Sequence, residues 1–361
     1  MAYIGNSVVG VEHPSTSALN ATTGAFTSTL DVDGTTTTDG ITNAGNFSTD
    51  SGTIKLDGNY PTGSDNVALG DTALDDGSLS GGNNTAIGSG ALTANTSGAS
   101  NTAVGHLSLD AVTTGSGNTG LGRTSGSSLT TGDDNTYIGY QCNAVGVSGD
   151  SNVGAGVNSL YNNTAADNVA VGGNAMFANT SGTANVAVGR YSLDANTTAD
   201  NNTAVGYQAL TANTTGASNV AIGKSALASN TTASNNIAIG LNSGDAITTS
   251  PNNTLVGHNA GSAISTGNGE NVCIGNNAGA VMTTGQQNVF IGDNAAAGAD
   301  VTGATNTIVG DNAGYTLTSG ANNSYFGSTS GDATTTGSQN VAVGSAALTA
   351  NTTASNNAAV G

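Results

Sequence analysis

From residue 66 to the last residue, the apolar positions fall into one recurring phrase: Asn, a hydroxyl or β-branched residue, a small residue, an aliphatic residue, Gly. It reads NNTAVG at 201–206, SNVAIG at 218–223 and NNIAIG at 235–240. The closing Gly falls at 70, 88, 105, 122, 139, 156, 172, 189, 206, 223, 240, 257, 275, 292, 310, 327, 344 and 361, which makes 18 copies. Of the 17 intervals, 13 are 17 residues long and the others are 16 or 18. Asn stands four residues before the Gly in every copy. A helical repeat needs more than about 30 residues for its helix pair, so this period predicts one coil of a β-solenoid. The predicted fold class is all-β, a parallel β-solenoid (β-roll) of about 18 coils over 61–361 with a 17-residue period.

Side chains alternate along a strand, so columns of the repeat can be assigned to faces. The residue before the Gly is Val, Ile or Leu in 16 copies, Phe326 and Ala155 being the exceptions, and the residue three before is mostly Val, Thr or Ile. These two share a face and are expected to point inward. The residue between them, Ala in ten copies, is expected to point outward. Three after the Gly stands Ala, Ser or Cys (Ala73, Ala91, Ser108, Ser125, Cys142, Ser159), often followed by Leu or Gly, which predicts a second short strand restricted to small side chains. Thr occupies the eighth place after the Gly in 13 of 17 coils. A coil thus reads as strand, Gly corner, second strand and a Thr/Asn/Gly-rich return.

Coils that bond backbone to backbone along an axis place identical residues in stacks about 4.8 Å apart. Asn202, Asn219 and Asn236 then form part of an amide ladder, each donating to the next coil. Gly206, Gly223 and Gly240 mark a backbone angle, or a closeness of approach, that a Cβ would forbid. Both columns read as structural. The column between the aliphatics changes character in five consecutive coils, to Leu255, Cys273, Phe290, Ile308 and Tyr325. On the outward face these would show water a continuous apolar strip, which soluble proteins avoid. They are therefore expected to form a subunit interface around a threefold axis. The alternative is that the strand faces are exchanged and this column lines the coil's own interior.

Composition narrows the function classes. The chain has 55 Gly, 3 Pro, no Trp, 4 Lys/Arg and 23 Asp/Glu among 361 residues, for a net charge of −19. So few cations cannot neutralise a phosphate backbone, which excludes nucleic-acid binding. Low charge argues against ordinary disorder, and the Gly spacing excludes collagen. No run approaches a membrane span, and residues 1–20 lack the basic and apolar regions of a secretory signal.

NVAVG, NTAVGYQAL and NVAIGKSAL resemble the head repeats of YadA-type trimeric autotransporter adhesins. The resemblance covers about 61–361 and implies a left-handed parallel β-roll with three chains in one stiff homotrimer. The family's coil is typically shorter, and its signal, heptad stalk and membrane barrel have no counterpart here. The combination with the start MAYIGN and a Thr/Gly-rich segment looks more like bacteriophage tail-fibre proteins carrying such repeats. Residues 1–24 are expected to attach to the virion tail or a neighbouring subunit. Residues 25–60, which alternate around Leu30, Val32, Ile41, Phe47, Ile54 and Leu56, are expected to form a β-rich shaft or linker.

Candidate chemistry is sparse, and no enzymatic motif or cofactor site is expected. His13, His106 and His258 are isolated; the last two share a column nine coils apart, about 43 Å at the expected rise. Cys142 and Cys273, eight coils apart, are too distant for a disulfide and read as small buried residues. Asp31, Asp33, Asp75, Asp76, Asp133 and Asp134 would hold Ca²⁺ weakly at best. The leading expectation is a virion structural protein: a rigid tail-fibre spacer reaching the host through a distal part, since the chain stops at Gly361 without a cap. A self-assembling extracellular filament and an adhesin head are the alternatives. Ice binding is the outlying one, because the second frequent Thr is adjacent to the first and points to the opposite face.

Overall fold

The structure, a computed structural model, describes residues 65–361. The attachment and shaft segments, with His13, Asp31 and Asp33, lie outside the described residues. From β1 (Val67–Leu69) to β18 (Ala358–Val360) run eighteen strands of three residues each, and there is no helix among the described residues. Each strand pairs in parallel with the next, middle residue on middle residue: Ala204 of β9 (Thr203–Val205) beside Ala221 of β10 (Val220–Ile222), and Ala221 beside Ala238. One sheet thus forms one side of a β-solenoid, and eighteen strands close seventeen turns.

The strands are short because their ends are fixed by residue type. β-branched residues at the first and third places suit a pleated backbone. The Gly that follows takes φ +136° at Gly206, and a Cβ there would sit 2.5 Å from the carbonyl oxygen of Gly223. Both the angle and the closeness therefore require glycine. Beyond the Gly the expected second strand does not form. Gln208 and Leu210 adopt left-handed backbone, φ 57° and 51°, which turns the chain off the pleated path. Inter-coil bonding continues regardless. Some amides of the coil donate to the preceding turn (Gly206 N–H to Val188, 2.8 Å; Gln208 N–H to Arg190, 3.1 Å) and others to the following one (Leu210 N–H to Ala226, 3.0 Å; Val220 N–H to Asn236, 2.8 Å).

The strand faces are the reverse of the sequence expectation. Leu255, Cys273, Phe290, Ile308 and Tyr325 are fully buried within a single chain, and so is Ala204 in its coil. They line the coil's own interior and cannot form a subunit interface. The aliphatics on either side face out: Leu121, Ile222, Ile239, Phe326 and Val343 are all exposed. Alternation gives the reason. The Asn four before the Gly is buried in these coils, and the residue two before shares its face.

The interior is narrow enough that two positions share one volume. Where the strand centre is Ala204, the fourth residue after the Gly is the buried Leu210. Where the centre is Leu255, Cys273, Ile308 or Tyr325, that residue is Gly261, Gly279, Gly314 or Gly331. A Cβ on Gly331 would lie 2.5 Å from Cε2 of Tyr325, and one on Gly314 would lie 2.6 Å from Cδ1 of Ile308. In these coils a large apolar side chain enters from the strand or from the corner, not from both; the coil of Tyr137 carries the polar Asn143 at its corner, also buried.

Candidate functional site

Two ladders run inside the stack. In the first, the backbone N–H of Asn219 donates to Oδ1 of Asn202 at 2.9 Å, and that of Asn236 to Oδ1 of Asn219 at 2.9 Å. The side-chain amide closes the coil crosswise: Nδ2 of Asn202 donates to the Gly216 carbonyl and Nδ2 of Asn219 to that of Ala233, each at 2.9 Å. Direct amide-to-amide donation is present in some coils, as from Asn219 to Asn202 at 3.2 Å and from Asn323 to Asn306 at 3.0 Å. The Asn therefore bonds both along the axis and across the coil, which explains its presence in every copy. Nδ2 of Asn236 has no hydrogen-bond partner among the described residues.

The second ladder was not anticipated. Asn163, Asn179, Asn196, Asn213 and Asn230 stand seven residues after the Gly in five successive coils, all buried. Nδ2 of Asn213 donates to Oδ1 of Asn196 at 3.0 Å, and Nδ2 of Asn230 to Oδ1 of Asn213 at 3.0 Å. Its sequence signal was a repeated Asn within a Thr/Asn/Gly-rich return. Ile247, Ile264, Met282 and Leu317 hold this place in coils where the corner is Gly.

The Thr column is also bound into the stack. The hydroxyls of Thr180, Thr197, Thr214 and Thr231 each donate to the carbonyl of the Thr in the next coil, at 2.9–3.1 Å. Committed hydroxyls of this kind hold coils together.

The remaining candidates are placed singly. Cys142 and Cys273 are free and buried, and burial pushes their thiols up to about 11 and about 12. His106 and His258 are exposed, and Nδ1 of His258 is 3.0 Å from Oδ1 of Asn276. Asp133 Oδ1 accepts the Ser116 N–H at 2.7 Å, while the Asp133 N–H donates to Asp150 at 2.9 Å, so these carboxylates tie coil to coil. Two bonds from Ser78 hold the Asp76 carboxyl below its ordinary range. Partial burial raises Asp110, Asp194 and Asp245, which share the fifth place after the Gly. Among the described residues, no three His, Cys, Asp or Glu side chains are grouped to hold a metal ion. No helix among them is long and apolar enough to cross a membrane.

The outward face of the sheet is continuous over successive coils. Register stacks Ile222 on Ile239, Ile239 on Val256 and Val256 on Ile274, with a parallel row directly after each buried Asn, mostly Val, Ile or Thr, as in Val220 beside Ile237. The two rows form a strip roughly 80 Å long and 7 Å wide at ordinary strand spacings. A scan against protein-family models finds no match, and a search of curated proteins finds none.

Proposed function

We propose that this chain is a structural fibre subunit in which the solenoid is a rigid spacer and three copies pack through the outward face of the sheet, along the aliphatic row before each Gly and the mixed Val/Ile/Thr row beside it. The carrying observation is that strip: side chains such as Ile222, Ile239, Ile274 and Phe326 lie in the open in a single chain, in register over successive coils. An apolar strip of this length is costly in water, and a second and third copy of the same rows match it rung for rung. The resemblance to YadA-type head repeats supports three copies. In this reading the assembly is a bacteriophage tail fibre, joined to the virion through the N-terminal segment and to the host through a distal part.

Light scattering of the purified chain tests the interface. A trimer of 34.6 kDa chains is expected, and Ile222→Asp with Ile239→Asp should dissociate or precipitate it. A soluble monomer of the unaltered chain at micromolar concentration would refute the packing. Micrographs test the assembly: discrete rods support the fibre, whereas endless polymers would favour a filament.

A further inference from the structure

The residue directly after each motif Gly forms a column of its own, outside the coil. Of four Lys/Arg in the chain, three lie among the described residues, and all three, Arg123, Arg190 and Lys224, stand in this column. Both described histidines, His106 and His258, stand there too, and all five side chains are exposed. From 106 to 258 the column carries no acid; Asp71 precedes the stretch and Asp293 and Asp311 follow it. In a chain of net charge −19 this gathers the described cationic side chains on one line.

Aromatic rings share the line. Exposed Tyr140 follows Arg123 by one rung, and the Arg123 guanidinium carbon lies 5.5 Å from its ring centre. Arg190 lies 4.6 Å from the ring centre of Tyr191 and donates through Nη2 to its hydroxyl at 2.8 Å. Tyr191 in turn meets Tyr207 edge to face at 6.2 Å, and Lys224 stands one rung beyond. None of the three cations is in an ion pair among the described residues. Asp110 lies close enough to His106 for the two side chains to act on each other.

We infer that this column is a lateral binding strip for a linear acidic polysaccharide laid along the solenoid axis. Rungs about 4.8 Å apart are close to the length of one pyranose unit, so successive side chains can meet successive sugars. Guanidinium groups bind carboxylate, sulfate or phosphate in a fork, and the ammonium of Lys224 acts as a point charge. Tyrosine rings offer an apolar face for the C–H face of a sugar and a hydroxyl for its edge. Duplex DNA carries one charge per about 1.7 Å, far denser than five side chains spread over ten rungs, and the acidic remainder of the surface repels such a polyanion. A glycan with one acid every few sugars matches this sparse spacing. The strip goes beyond the spacer role and needs neither the trimer nor a virion.

Affinity electrophoresis of the full chain through gels containing hyaluronan, with one carboxylate per two sugars, κ-carrageenan, with one sulfate per two sugars, or neutral dextran tests the inference. Retardation by hyaluronan, by κ-carrageenan or by both is expected, with none by neutral dextran; the pair of gels tells carboxylate from sulfate as the favoured acid. Arg190→Gln with Lys224→Gln should weaken retention at least about tenfold, the scale of one lost charge-assisted bond. Tyr207→Ala should also weaken it with no change in net charge, which an ion-exchange effect would not produce. Equal retention of all variants, or no retention of the unaltered chain, would overturn the strip. So would equally strong binding of single-stranded DNA. A lower oligomeric mass of the Arg190/Lys224 variant in light scattering would also overturn it, by making the column a contact between copies.

Discussion

The shared interior volume makes a sharp prediction at one coil. Tyr325 fills the centre of β16 (Ser324–Phe326), is fully buried, and stands opposite Gly331, whose three nearest would-be Cβ contacts are all ring atoms of Tyr325 at 2.5–2.7 Å. Removing the ring as Tyr325→Ala should cost about 3–5 kcal/mol, the usual range for deleting a buried aromatic. Gly331→Leu alone overpacks the site, about 1–3 kcal/mol, and adds about 1–2 kcal/mol for a non-glycine residue in left-handed backbone; Gly331 has φ 61°. Together the two changes recreate the arrangement of the next coil, Ala342 with Leu348. The double variant should then lose only about 1–2 kcal/mol, the backbone cost that remains. The backbone cost cancels in the cycle, so the coupling should be about 4 kcal/mol or more, the sum of the lost ring and the relieved overpacking, which lies above the usual range for neighbouring residues. Repeat arrays need not unfold in one step, so urea unfolding should be paired with hydrogen exchange of the amides over 323–340. Additivity of the two single changes to within about 0.5 kcal/mol would show that the positions do not share a volume.

Asn219→Ala removes the acceptor of the Asn236 N–H and the donor to the Ala233 carbonyl, and buried groups left unpaired cost about 1–3 kcal/mol each. Faster exchange at Asn236 checks it, and unchanged protection would exclude the ladder as a stabiliser. Asp194 has its pKa raised by burial. The folded state therefore holds this proton longer than the unfolded chain, and stability falls as pH rises from the ordinary carboxylate range through the folded value. Asp194→Asn should raise the melting temperature at pH 7 and leave it unchanged at pH 3; a gain of equal size at both would refute the cause. Cys142 and Cys273, with thiols pushed up to about 11 and about 12 by burial, should resist alkylation at pH 8 until the chain is unfolded. Rapid labelling of the native protein would contradict their placement.

The strands, their parallel register and the coil frame were legible because Asn and Gly punctuate every copy. The strand faces were misread because large aliphatics are expected inside. The correcting signal was present: an Asn that must be buried in every coil fixes the phase, and the residue two places on must share its face. The missing second strand was harder to see. Leu210 holds φ 51°, a conformation leucine rarely adopts, and only the burial of its side chain offsets the cost. Nothing in a Leu column announces a turn. The second Asn ladder is hard to read because its Asn lies within a Thr/Asn/Gly-rich return and gives way to Val112, Leu129, Ile247 or Leu317 in other coils. The cationic column was equally visible, yet three scattered basic residues look isolated until the 17-residue frame aligns them.

The two-way traffic of amide bonds between coils has a consequence for length. In an α-helix every peptide dipole points along the axis in one sense, so the ends gather charge. Here Gly206 donates backward while Val220 donates forward, and the axial components of these dipoles oppose each other within one turn. Adding turns therefore builds up little axial field, and the chain can grow by whole repeats without charging its tips.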